Sequence, residues 1–210
     1  MDLSDNPRFS IETLFAGGRL CLDFINTACQ RRGTDLEFLG NVEELIHWLR
    51  SAEIVHKRPL MGDSEEWSVE HGETRLAQAK ELRAALHDIA QSVLHKQAVP
   101  ASALRVLNAT LQDHPTYSQV SEQEGGFTET TSIAHRSDAW LAAIAQDAVD
   151  LLCHSDLSLL RQCECPTCVR KFFDTTKNHR RRWCVEKCGS APKAAAYYRR
   201  KIARSRVEEE

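Results

Sequence analysis

The chain has 210 residues and a net charge of −3 at pH 7, which is enough for one sizeable domain and a small additional module. No apolar run approaches the roughly 18 residues of a membrane-spanning helix, and the amino terminus lacks a basic-then-apolar leader. We therefore expect a cytoplasmic protein without membrane attachment, in which cysteines stay reduced.

The charge is divided very unevenly along the chain. Residues 161–206 carry 14 Lys and Arg against 3 Asp and Glu, a net charge of +11. Residues 1–160 carry 13 against 24, a net charge of −11. This asymmetry indicates a polyanion-binding carboxyl-terminal end joined to a body with a different role.

The amino-terminal body is predicted to be mainly helical. The apolar run at residues 19–27 fits a buried strand or a buried helix by periodicity, and we favour the helix. Asn41 is suited to cap the next helix, with Glu44 in the capping-box position. The buried face of that helix would consist of Leu45, Trp48 and Leu49.

Three further segments follow in the predicted body. Apolar positions spaced by three and four between residues 74 and 96 predict the strongest helix, and Pro100 opens a shorter one. The alternating segment around Gly125 and Gly126 predicts a solvated hairpin.

Capping residues mark the last predicted helices. Ser137 is suited to begin a helix with a broad apolar face, and Asp156 a short one that leads into the first cysteine. Ser190 and Pro192 would open a basic terminal helix that ends near Arg206.

Five of the eight cysteines lie in the run C163-E-C165-P-T-C168 and, after fifteen residues, C184-V-E-K-C188. Two close pairs joined by a short loop are typical of one tetrahedral zinc site. Spacing alone favours the C-x2-C pair at Cys165, although Cys163 offers a longer C-x4-C turn. Unliganded core cysteines and a redox pair at Cys165 and Cys168 are the rival interpretations.

The segment C163-ECPT-C168-VRKFFD-TTKN-HRRRW-C184-VEK-C188-G189 closely resembles the CGNR zinc-finger family. The segments GGRLCLDFINT at 17–27 and HWL at 47–49 resemble the helical ABATE domain that accompanies this finger. The resemblance implies Zn²⁺ as the cofactor and a transcription regulator as the function. It also implies that the zinc ligands are Cys163, Cys168, Cys184 and Cys188.

The family resemblance carries two further implications. Trp183, with Phe172 or Phe173, would form the apolar core of a module too small to fold without its metal. Ala191 stands where the family motif has an arginine, so a DNA contact is expected to be missing there.

The charged residues beside the rigid metal knuckle are predominantly positive, which favours contact with double-stranded DNA over a merely solvated surface. Asn178 adds an amide suited to a phosphate or an adenine edge. The candidate DNA-binding residues are Lys177, Asn178, Arg180, Arg181, Arg182, Lys193, Arg199 and Arg200.

Asp23, Asn26 and Thr27 are polar residues within an apolar segment. A satisfied structural hydrogen-bond network explains them most simply, and a small-molecule effector pocket is the alternative. We find no phosphate-cradling loop, nucleophile elbow or paired-carboxylate motif, so we do not expect an enzyme.

The sequence thus predicts a mainly α fold with a small β-hairpin, organised in two parts. Residues 1–158 would form a helical domain that senses an effector or forms a homodimer. Residues 159–206 would form a zinc-binding module that ends in a helix. The function is interpreted as a bacterial-type DNA-binding transcription regulator. The alternative is a zinc-stabilised module that binds an acidic protein partner and no DNA.

Overall fold

The computed structural model describes residues 14–31, 34–61, 69–123, 125–133 and 139–190. Within these ranges the protein is mainly helical, as predicted, and the longer helices form its body. They are α1 (Leu20–Ile25), α2 (Val42–His56), α3 (Val69–Leu94), α4 (Ala101–Asp113) and α5 (Ala139–His154).

Six short strands pair into three antiparallel two-stranded sheets in the described part of the chain. The pairs are β1 (Ala28–Arg31) with β2 (Thr34–Glu37), β3 (Thr116–Gln123) with β4 (Gly126–Ile133), and β5 (Leu160–Gln162) with β6 (Lys171–Phe173). Only the β3–β4 hairpin was expected from the sequence. The other two pairs are too short to show an alternating pattern.

Helix α1 lies at the centre of the fold, and all six of its residues are buried. Two glycines form the turn that leads into this helix. A side chain on Gly17 would collide with Leu22 and the Asp23 backbone, and Gly18 has a left-handed φ of 75°. The Asp23 carboxylate accepts a 2.6 Å hydrogen bond from the Gly17 amide. The helix predicted within residues 19–27 is confirmed over Leu20–Ile25. The glycine pair allows the chain that enters the helix to fold across it.

Helix α2 begins as predicted at Asn41, whose side chain accepts a 2.9 Å hydrogen bond from the Glu44 amide. The predicted capping box differs in one bond, because the Glu44 carboxylate accepts from the Gly40 amide and not from Asn41. Its buried face includes the predicted Leu45, Trp48 and Leu49.

One apolar core unites the helices. Helix α1 packs against α3, α5 and β6, and α3 also packs against α2 and α4. The largest fully buried side chains are Trp48, Trp140, Phe24, Phe38 and Phe172. Phe172 belongs to a second, smaller cluster that contains the five carboxyl-terminal cysteines and Ala16. The cysteine-rich end thus has its own core, completed by a residue from the start of the body.

One predicted helix is shorter than expected. Asp156 does cap a helix, accepting from the Ser158 amide, but only a 3-10 turn at Leu157–Leu159 follows before strand β5 begins. Residues 186–190 are helical, and Ser190 is the last described residue, so the start of the predicted terminal helix is not described. Ser137 and residues 191–206 lie outside the described residues.

Candidate metal centre and basic loop

The structure brings four cysteine sulfurs together, those of Cys163, Cys168, Cys184 and Cys188. All four lie within 4.8 Å of one another and are buried. The Cys168–Cys184 and Cys184–Cys188 sulfur pairs are each 3.7 Å apart. A tetrahedral site with zinc–sulfur distances of about 2.3 Å requires sulfurs about 3.8 Å apart. The cluster therefore has the size and donor set of a zinc–tetrathiolate centre.

Local backbone structure places these sulfurs. Cys163 directly follows β5, and Cys168 lies in the loop that returns the chain to β6. Cys184 and Cys188 flank the start of the short helix at residues 186–190. The Cys184 amide lies 3.4 Å from the Cys163 sulfur and donates to it. This bond ties the two cysteine pairs together.

Cys165 lies outside this group, although its sulfur is also buried. Its sulfur lies 3.5 Å from the Thr167 hydroxyl, and its carbonyl accepts from the Cys168 amide at 2.9 Å. Spacing alone favoured Cys165, whereas the family resemblance implied Cys163. The chain geometry groups Cys163 with the other three cysteines and uses Cys165 in the turn between them.

The sulfur atoms are electrostatically coupled. Hydrogen bonds from Cys168 and Cys184 to the Cys163 sulfur lower the pKa of Cys163. The same interactions with Cys163 raise the pKa of Cys168 and Cys184, and burial raises that of Cys188 to about 12. Holding all four sulfurs as thiolates in so small a volume requires a cation. The donor set therefore fits Zn²⁺, which coordinates deprotonated cysteines.

Two basic residues close to the cysteine cluster are buried. Arg170 is 5% exposed and Lys171 is 3% exposed. The Arg170 guanidinium interacts with the sulfurs of Cys29, Cys184 and Cys168, which outweigh burial and raise the Arg170 pKa. Its Nη2 atom is buried without a hydrogen-bond partner. Arg170 thus offers a buried positive charge beside the cysteine cluster.

The loop at residues 174–182 is organised by the buried Asp174 side chain. Its Oδ1 accepts from the amide and hydroxyl of Thr176, and its Oδ2 accepts from the Arg181 amide at 2.8 Å. Burial opposes ionisation, but these hydrogen bonds prevail and lower the Asp174 pKa. His179 takes a left-handed φ of 50°. The side chains of Lys177, Asn178 and Arg180 are exposed on this loop.

Arg181, which was predicted among the DNA-binding residues, points into the protein. Its guanidinium donates to the carbonyls of Trp183, Ala16 and Cys184. It also lies 4.6 Å from the centre of the Phe172 ring. One of these hydrogen bonds joins the finger to Ala16 of the body, and the other two hold the chain within the finger.

The remaining candidate DNA contacts divide into two groups. Arg182 is at the surface, but it forms a 2.6 Å hydrogen bond to Glu164 and stacks on Trp183. Lys193, Arg199 and Arg200 lie outside the described residues, as does Ala191. The exposed residues Lys177, Asn178 and Arg180, which we call the basic loop, are therefore the described candidates with free access to a ligand.

Asp23, Asn26 and Thr27 bind three different parts of the protein. Asp23 contacts the Gly17 amide and His56, and Thr27 accepts from Arg83 at 2.9 Å. Asn26 exchanges two hydrogen bonds with the Lys171 backbone. These contacts support the structural interpretation over a shared effector pocket. The Asn26 contact crosses from body to finger and could not be found from local sequence patterns.

A small apolar cavity lies between α1, α3 and α5. Its volume is about 20 Å³ and its lining includes Cys21, Ile25, Leu86 and Leu151. That volume holds about one water molecule, so this cavity does not accommodate an organic effector. In the described residues, no helix is both long and apolar enough to span a bilayer.

The fold and the cysteine cluster together define a helical domain followed by a small zinc-binding module. Residues 18–155 match the ABATE family model, whose description is "Putative stress-induced transcription regulator". Residues 160–201 match the CGNR zinc finger. The chain therefore belongs to the ABATE family and carries a CGNR zinc finger, and zinc is its cofactor. No curated protein matches the chain.

Proposed function

We propose that this protein is a zinc-dependent, DNA-binding transcription regulator of the cytoplasm, bacterial in type. The observation that carries the proposal is the basic loop. Its exposed residues lie in the segment that connects the two cysteine pairs of the buried cluster. The zinc would be held by Cys163, Cys168, Cys184 and Cys188. Because four cysteine ligands complete a tetrahedral site, no coordination position would remain open for catalysis.

The basic loop would supply the main described contacts to DNA. Lys177 and Arg180 are suited to phosphates, and Asn178 to a phosphate or an adenine edge. Asp174 positions them, because its three hydrogen bonds set the path of the loop. Lys193, Arg199 and Arg200 would extend the surface, as their sequence positions beyond the last cysteine suggest. The helical body would then sense an effector or form a homodimer.

The test is retention of duplex DNA from a random-sequence pool, measured across a salt series with the zinc-loaded protein. We expect binding that weakens steeply with salt. Joint substitution Lys177→Ala and Arg180→Ala should flatten the slope of log affinity against log salt by about 0.9 for each lost phosphate contact. Arg50→Ala with Arg105→Ala, which removes two exposed cations from the body, is the matched control and should leave the slope unchanged.

A protein-interaction module without DNA binding is the second candidate. It is favoured by Ala191, which replaces the arginine of the family motif, and by Arg182, which is already paired with Glu164. Failure to retain any duplex at low salt, with zinc bound, would reject the DNA-binding proposal. Retention on an acidic protein column that depends on the basic loop would then support the alternative.

A further inference from the structure

The β3–β4 hairpin projects an unusual surface. Every described side chain of its strands is exposed, including Val120 at 70% and Phe127 at 78%. An isolated two-stranded hairpin is marginally stable in water, and large exposed apolar residues on such an element indicate an interaction site. The hairpin therefore has the properties of a docking arm.

The strand register concentrates these residues on one face. Val120 pairs with Glu129, and Glu122 pairs with Phe127. Because side chains alternate along a strand, these four lie on the same face. Each apolar residue has a carboxylate as its cross-strand neighbour. We call this set of four residues the hairpin face.

The charge of the hairpin restricts its partner. Residues 116–133 contain three glutamates and no Lys or Arg, so two hairpins placed face to face would repel each other. A complementary surface must present cations. Guanidinium groups are especially suited, because they pair with carboxylates and also stack on an aromatic ring such as Phe127.

This chain itself carries such a surface in the basic loop. We propose that the hairpin face docks on the basic loop of a second copy of this chain, with Glu122 and Glu129 facing Lys177 and Arg180. Each copy has one hairpin face and one basic loop, so two reciprocal contacts can close a two-fold dimer. The contact is electrostatic at an exposed surface, so salt should weaken it.

The experiment is sedimentation velocity of the zinc-loaded protein over a concentration series at low and high salt, with no DNA present. We expect association at low salt that is lost at high salt. The joint change Glu122→Lys and Glu129→Lys, here the hairpin variant, should be monomeric. The joint change Lys177→Glu and Arg180→Glu, here the loop variant, should be monomeric as well.

Mixing the two variants gives the decisive result. The hairpin variant has two basic surfaces and the loop variant has two acidic ones, so the mixture should form a one-to-one heterodimer. Gln119→Lys with Gln123→Lys adds lysines to the opposite face of the hairpin and should preserve association of the otherwise native chain. Circular dichroism verifies that each variant retains its helices.

Three outcomes would overturn the proposal. These are a native chain that is monomeric at low salt, a loop variant that still self-associates, and a mixture that stays monomeric. Because no DNA is present, any of them leaves the proposed DNA binding untouched. Conversely, failure of the DNA retention test does not bear on this association, which is tested by the charge-reversal variants.

Discussion

Asn26 and Lys171 are joined by two hydrogen bonds, although 145 positions separate them in sequence. The Asn26 amide donates to the Lys171 carbonyl at 2.7 Å, and the Lys171 amide donates to Asn26 Oδ1 at 3.0 Å. Since an amide side chain both donates and accepts, it continues the edge of strand β6 as another strand would. The finger is thus fixed to the body by backbone recognition as well as by apolar packing.

Asn26→Asp should weaken that attachment. A carboxylate cannot donate to the Lys171 carbonyl, so a buried acceptor loses its partner, at a cost on the order of 1–3 kcal/mol. Urea unfolding would measure the loss in free energy of unfolding. Asn108→Asp, at an exposed position of α4, is the isosteric control and should change it little. Equal effects at both positions would show that the paired hydrogen bonds contribute nothing.

Cys163→Ser should abolish stoichiometric zinc binding, whereas Cys165→Ser should retain one zinc per chain. The reason is geometric, since the Cys163 sulfur lies within the cluster of four and the Cys165 sulfur does not. Metal content after gel filtration, and the thiolate–cobalt absorption of the Co²⁺-substituted protein, are the measurements. The reverse pattern would establish the shorter C-x2-C pair as the ligand-bearing knuckle.

Substitution of the neighbouring Arg180 and Arg181 should change stability to very different extents. Arg181→Ala removes donors from three carbonyl groups and should lower the free energy of unfolding by about 2–4 kcal/mol. Arg180→Ala, at an exposed position, should change stability by less than about 0.5 kcal/mol. Thermal or urea unfolding of both variants checks this. A larger loss at Arg180 than at Arg181 would contradict the described orientation of the loop.

Lys171 should make stability depend on alkaline pH. Burial is the first cause that lowers its pKa, from an ordinary 10.5 to about 8, with Asp88 partly opposing the change. Between these values the unfolded chain binds more protons than the folded chain, so this residue makes stability rise with pH across that window. Below about pH 8 the folded protein bears the full free-energy cost of burying the charged Lys171 amine.

Lys171→Met should therefore stabilise the protein at neutral pH, by up to about 3 kcal/mol if the whole pKa shift reflects burial. The difference between native and Lys171→Met free energies of unfolding should shrink from pH 8 to pH 10.5. Taking this difference removes the contribution of other titrating groups that the two proteins share. A difference that stays constant with pH would show that the buried amine is not the cause.

The local elements were largely predictable because they depend on signals that lie close together in sequence. The Asn41 cap, the apolar spacing of α3 and the turn at Gly125 and Gly126 each specify their own structure. The small strand pairs β1–β2 and β5–β6 were not predictable in this way. Their three or four residues are held by partners that only the folded chain supplies.

The sequence by itself determined that five cysteines and a strongly basic segment occur together, and its spacing left Cys163 and Cys165 as rivals for one position. Tertiary structure decided where each side chain points. Arg180 and Arg181 are adjacent and chemically identical, yet one is exposed and the other is held inside. The reason is that hydrogen bonds accepted by Asp174 and the left-handed backbone of His179 set the path of the loop. The direction in which each side chain points from this loop depends on partners that are distant in sequence, such as the Ala16 carbonyl. No local sequence pattern encodes such a partner.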